Sequence, residues 1–129
     1  MTRRAEITLD WADGTYVFRL AWGQLVELQE QCDAGPYIIL QRLMAGAWRV
    51  QDISQVIRLG LIGGGSTPEK ALQLTRDYVE GRPPFETLAI AQGVLGVALQ
   101  GAPDGEPPGE ADGGATTGVS TTSPTESSA

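Results

Sequence analysis

Leu59-Gly60-Leu61-Ile62-Gly63-Gly64-Gly65-Ser66-Thr67-Pro68 is the stretch whose reading decides the fold. An apolar helical pattern enters it and a second one leaves it. Each glycine inside a helix costs about 1 kcal/mol relative to alanine, so three in a row end one. Glycine also supplies positive φ and lets two backbones approach closely. Thr67 can accept a hydrogen bond from the first N–H groups of a new helix, with Pro68 at its first position. Gly60, Gly63, Gly64, Gly65, Thr67 and Pro68 therefore predict a tight corner between two helices, with Gly64 as the positive-φ residue.

The same residues imitate a phosphate-binding loop. That motif needs G-x-x-x-x-G-K-[ST] after a strand. Gly60, Gly65 and Thr67 keep the spacing, but Ser66 stands where the lysine belongs. The segment leading in repeats its apolar residues at helical spacing, not strand spacing. Lacking the lysine charge and the strand, the stretch is read as structural.

Upstream, Glu6-Ile7-Thr8-Leu9-Asp10-Trp11 and Tyr16-Val17-Phe18-Arg19-Leu20 alternate polar and apolar residues around Ala12-Asp13-Gly14-Thr15. This is the pattern of a β-hairpin, with Asp13-Gly14 as the turn signal. Two strands alone are marginal in water, so helices must cover their apolar face. Trp22, Leu25, Leu28 and Cys32, with Val26 beside them, form a helical stripe in which Trp22 is expected as a core anchor and Gly35 as the stop. Pro36 opens the next helix and Gly46 ends it. Asp52 is expected to cap a third helix, with Ile53, Val56, Ile57 and Leu61 inside.

Beyond the corner, a helix from Pro68 to Glu80 should bury Ala71, Leu72, Tyr78 and Val79, and Pro83-Pro84 breaks it. The last helix, from about Phe85 to Gln100, is apolar nearly all round. That pattern predicts burial on several sides, at the centre of the domain, with Gly93 and Gly96 allowing close helix contact. Leu88, Ile90, Val94, Leu95, Val97 and Leu99 point in too many directions for one face, so part of this helix is expected to bind a partner. Trp48, in a loop between helices, is the second candidate for an interface anchor.

The fold class is thus α+β: an N-terminal antiparallel hairpin, about five short helices and a disordered tail. Residues 1–101 form the domain. Residues 102–129 are rich in Gly, Pro, Ser and Thr and have only Val119 as a large aliphatic side chain. Such a segment cannot bury enough apolar surface to offset its ordering entropy. All nine Lys and Arg lie in the body, and five of the acids lie in the tail, so the body carries −2 and the tail −5 of the net −7.

The absence of a basic patch argues against nucleic acid as a partner. There is no histidine, and Cys32 is the single cysteine. Neither a Cys/His zinc site nor an intramolecular disulfide is available, and the usual general base is missing. Asp10 and Asp13 serve the turn, and Glu27, Glu30 and Asp33 make a solvated face. No catalytic, cofactor or metal site is read, and the chain is expected not to be an enzyme. The longest uncharged apolar run, residues 87–102, is short for a membrane span, and no signal peptide is seen. A cytoplasmic protein is expected.

In order, these features resemble one family. They are the hairpin at Asp13-Gly14, the Trp22-to-Glu30 helix with Leu25 and Leu28, the Arg58-Leu59-Gly60-Leu61-Ile62-Gly63-Gly64-Gly65 segment and the Ala71-containing helix. The family is the gene-transfer-agent type of phage tail assembly chaperone, also described as phage tail tube protein, and the resemblance covers about residues 6–101. It implies a non-enzymatic role in building a phage or gene-transfer-agent tail in the bacterial cytoplasm, with the tape measure protein as partner. Tail tube subunits, or a longer form made by frameshifting, are further partners it implies. The alternative it allows is a structural tail component kept in the particle.

Overall fold

In the computed structural model, residues 5–101 are described. Strands β1 (Glu6–Trp11) and β2 (Gly14–Arg19) pair antiparallel, with Trp11 opposite Gly14 and Glu6 opposite Arg19. The connecting turn is Ala12-Asp13, one residue earlier than the Asp13-Gly14 signal suggests, and Ala12 holds φ 58°. Helices α1 (Trp22–Cys32), α2 (Pro36–Ala45), α3 (Val50–Gly63), α4 (Pro68–Thr75) and α5 (Phe85–Gln100) come next along the chain. The predicted α+β hairpin-and-helices fold is the one observed. The predicted disorder of 102–129 lies outside the described residues.

The centre of the domain is α3, not α5. Ile53, Val56, Ile57, Leu59, Gly60 and Leu61 are all buried, so this helix is covered on nearly every side. Phe18 and Leu20 of the hairpin segment, Leu28 and Cys32 of α1, and Ile39 and Leu43 of α2 pack around it, with Val94 and Leu95 of α5. An all-round apolar pattern predicts the central place for α5. The helix lies at the surface instead, with Phe85, Glu86, Ala89 and Gln100 exposed. A side chain added at Gly93 or Gly96 would meet nothing within 4 Å. The close helix crossing belongs to Gly60 of α3, where an added Cβ would lie 3.1 Å from Val94 Cγ1 and 3.4 Å from Phe18 Cδ2.

Several helix boundaries have causes the apolar pattern does not carry. Helix α1 stops at Asp33, which takes the left-handed conformation at φ 55°, while Gly35 caps the start of α2. Helix α3 begins at Val50, before Asp52, because the Asp52 carboxylate reaches back to accept the Arg49 N–H at 2.9 Å. That carboxylate satisfies one of the free donors of the first turn. After α4 the chain winds one π turn, Arg76–Glu80, closed by Gly81 N–H donating to Arg76 O at 3.0 Å. The extra residue in this turn changes the direction of the side chains, so Val79 is buried and Tyr78 meets Trp11 at 5.9 Å between ring centroids. Leu72, expected inside, is partly exposed, and Leu74 fills the core in its place.

Candidate functional site

At the corner, Gly63 ends α3 and Gly64 comes next with φ −85°, in the ordinary helical region. The positive φ belongs to Gly65, at 119°. Gly64 is required for a different reason, namely space. A Cβ on Gly64 would lie 1.8 Å from Val17 O, and one on Gly63 would lie 1.9 Å from Arg19 O. The corner is pressed against the outer edge of β2. Thr67 caps α4 as expected, its Oγ1 accepting the Lys70 N–H at 3.2 Å, with Pro68 at the first position. The N–H groups of Gly64, Gly65 and Ser66 all donate to carbonyls of α3, at 2.9, 3.1 and 2.9 Å. None points outward as a phosphate cradle would require.

The candidate partner residues of α5 divide by burial. Val94 and Leu95 are fully buried and cannot meet a partner, because they face Gly60 and the core. Leu88, Ile90, Val97 and Leu99 are half-buried along the flanks. One flank is fixed to α2 by Gln92, whose Nε2 donates to Leu43 O at 2.9 Å. Trp22 is corrected outright: it is 82% exposed at the start of α1. It shares a stripe with Leu25 and Leu28 in sequence, but it lies at the edge of that stripe, and the core contacts are made by Leu28 and Cys32.

A groove of about 440 Å³ is lined by Val50, Gln51, Ile53, Ser54 and Gln55 of α3, and by Val79, Glu80, Arg82 and Pro84 before α5. Its walls are mainly apolar. Phe85 is next to Pro84 in the chain and is 76% exposed, and Val50 is 61% exposed. Trp48, half-buried, meets Phe85 edge to face at 5.7 Å between centroids. The loop tryptophan and the residue after Pro83-Pro84 thus form one aromatic pair beside the groove. Sequence reading singles out Trp48 but misses Val50, Pro84 and Phe85. The available signal is an aromatic placed directly after a helix-breaking proline pair.

Near the start of the same helix lies a buried ion pair. Asp52 is 0% exposed, and its Oδ1 accepts from Arg42 Nη1 at 3.2 Å. The same guanidinium nitrogen lies 3.5 Å from Cys32 O, so one side chain joins α1, α2 and α3. Cys32 is buried beside it, and its thiol donates to Gln51 O at 3.7 Å. Burial first, then the Asp52 charge, pushes the Cys32 pKa up to about 12. A thiol held neutral is a poor nucleophile. The folded protein should therefore leave Cys32 unmodified by iodoacetamide at pH 8, with alkylation appearing only in denaturant; rapid labelling of the native chain would contradict this placement. The linkage has a definite sign. The unfolded thiol loses its proton near pH 9 while the folded one keeps it, so stability should fall from about pH 9 to 12. A Cys32→Ala variant should lack that component.

Among the described residues no group of three or more His, Cys, Asp or Glu is placed to hold a metal ion, and no helix is long and apolar enough to cross a membrane. Fold and surface together define a small α+β domain of one hairpin and five helices with exposed apolar side chains beside a groove. The family model described as phage tail tube protein, GTA-gp10, matches residues 4–101, and the chain belongs to that family. That makes it a phage or gene-transfer-agent tail-related protein. No curated protein and no solved structure matches the chain.

Proposed function

We propose that this protein is a non-enzymatic tail assembly chaperone that binds the tape measure protein while the tail is built, and that it does so in the bacterial cytoplasm. The observation that carries the reading is the groove with its exposed Val50 and Phe85 and the Trp48–Phe85 pair. An exposed apolar cluster beside a cavity of several hundred Å³ is suited to receive side chains from an amphipathic helix. A long helical tape measure exposes such a stripe until the tube encloses it. The binding surface lies at the start of α5 and the Trp48 loop, not on Val94 and Leu95. The acidic tail would keep the complex dispersed.

A retained structural component is the competing reading. A tube subunit contributes strands to a continuous ring, and the described residues contain one hairpin. Two measurements separate the readings. Val50→Asp and Phe85→Asp, both at exposed positions, should leave the circular dichroism spectrum unchanged and reduce co-purification with the tape measure at least tenfold. Folded variants that retain the tape measure would remove the groove from consideration. Abundant peptides of this chain in mass spectra of purified particles would favour the structural component.

A further inference from the structure

The groove beside α3 has two unlike walls. Val50, Gln51, Ser54 and Gln55 line it along α3, and none of these side chains is charged. Every charge of the lining stands on the other wall, at Glu80 and Arg82. These two are not equivalent. The Arg82 guanidinium lies 5.2 Å from the centre of the Tyr78 ring, and its Nη1 is 3.6 Å from Glu86 Oε1. Glu80 is exposed, and its carboxylate takes part in no ion pair or side-chain hydrogen bond among the described residues. Arg76, four residues earlier, is not paired with it. The bases on the α3 side are engaged elsewhere. Arg58 donates to Gln55 at 2.8 Å and reaches Glu27 at 3.4 Å, and Arg42 is held by Asp52. Arg49 is outside the lining and close enough to Cys32 to act on its thiol. One wall is therefore neutral, and the other carries one uncompensated negative charge.

Volume and shape state the form of the occupant. A cavity of roughly 150 Å³ accepts a benzene ring. The groove, at about 440 Å³, accepts more than one side chain. Its α3 wall presents Val50 with Ser54 and Gln51 with Gln55, two rows at the i, i+4 spacing of a helix surface. The ridge of a second helix packs between such rows. Charge then selects among helices. A Lys or Arg bordering the apolar row on one side finds Glu80 across the rim, whereas Asp or Glu in that place meets a like charge. The neutral α3 wall makes no such distinction, so only one border of the helix is read.

We propose that the groove takes an amphipathic helix of another chain whose apolar row is bordered on one side by Lys or Arg, with Glu80 as the residue that selects it. The inference rests on the groove as the tape measure site and adds which border of the helix the groove reads. The apolar row supplies the affinity, and Glu80 supplies the discrimination. A single charge at an exposed rim acts through solvent, so the discrimination is modest and fades with salt.

The test uses the full-length chain, 15N-labelled, and two synthetic peptides of about 18 residues, long enough to hold a helix. Both carry the same row of Leu, bordered on one side by Lys in the first and by Glu in the second. Titrations run at about 0.15 M salt, where charges more than about 8 Å apart are largely screened. Both peptides should shift the amides of Val50, Gln51, Ser54 and Glu80. The Lys peptide should bind about threefold more tightly, the size of one exposed pair. Glu80→Gln should lose most of that preference, and Glu80→Lys should invert it. Glu30→Lys makes the same change of charge at an exposed position of α1 and should leave the preference in place. Equal affinity of the two peptides overturns the proposal, as does a preference that Glu80→Gln leaves unchanged or that Glu30→Lys removes as fully. Those results leave the groove itself standing, since both peptides still shift its amides. Groove amides that move with neither peptide overturn the proposal together with the reading it rests on.

Discussion

Gly64→Ala is expected to destabilise the domain by about 3 kcal/mol or more, near the upper end for a one-carbon addition to a packed site. The added Cβ would lie 1.8 Å from the Val17 carbonyl oxygen, and the obstacle is backbone, which cannot rotate away as a side chain would. Relief requires lifting the corner off β2, which also disturbs Gly60 against Phe18 and Val94. Gly63→Ala meets the same obstacle at Arg19 O and should behave alike. Gly65→Ala is the control. It has open space but φ 119°, so its cost is conformational, about 1 to 3 kcal/mol. Urea unfolding of the three variants gives the order. A Gly64→Ala midpoint within experimental error of the parent would mean the corner does not touch the strand.

Removing Asp52 should have an effect of comparable size. Asp52→Ala takes away the acceptor of the Arg49 N–H and the partner of Arg42 together, and leaves a largely buried guanidinium without its counter-charge. Breaking one side of a buried pair typically costs about 3 to 5 kcal/mol. Arg42→Met should be similarly costly, because Asp52 is the more buried member. The double variant Arg42→Met, Asp52→Leu should lose much less than the sum of the single changes, since no charge then remains uncompensated. Strict additivity in thermal or urea unfolding would show that the two side chains act separately.

The positions of these two stabilising devices show how far the sequence carries. Each element has a local signature. The alternation on either side of Ala12-Asp13-Gly14-Thr15 makes a hairpin, Pro36 and Gly46 bound α2, and Thr67-Pro68 starts α4. These depend on residues within a few positions of one another, so pattern and turn chemistry suffice. The groove and the aromatic pair beside it were legible in part, through Trp48. The groove's other wall comes from Val79, Glu80, Arg82 and Pro84, about thirty residues further along the chain, and no periodicity links the two.

By itself the sequence determined the class of fold, the order of its elements, the family and the presence of a corner at residues 60–68. The tertiary structure decided which apolar surfaces are spent inside and which remain outside. Trp22 and Leu28 belong to one stripe, yet only Leu28 is buried, because the stripe is wider than the surface available to cover it. Gly93 and Gly96 look like contact glycines, yet a side chain added at either would meet nothing within 4 Å, while Gly60 carries the helix crossing. Gly64 looks like a positive-φ residue and is there to admit a strand carbonyl. A glycine's local requirement and its packing requirement leave the same letter in the chain. Only the approach of a distant backbone distinguishes them.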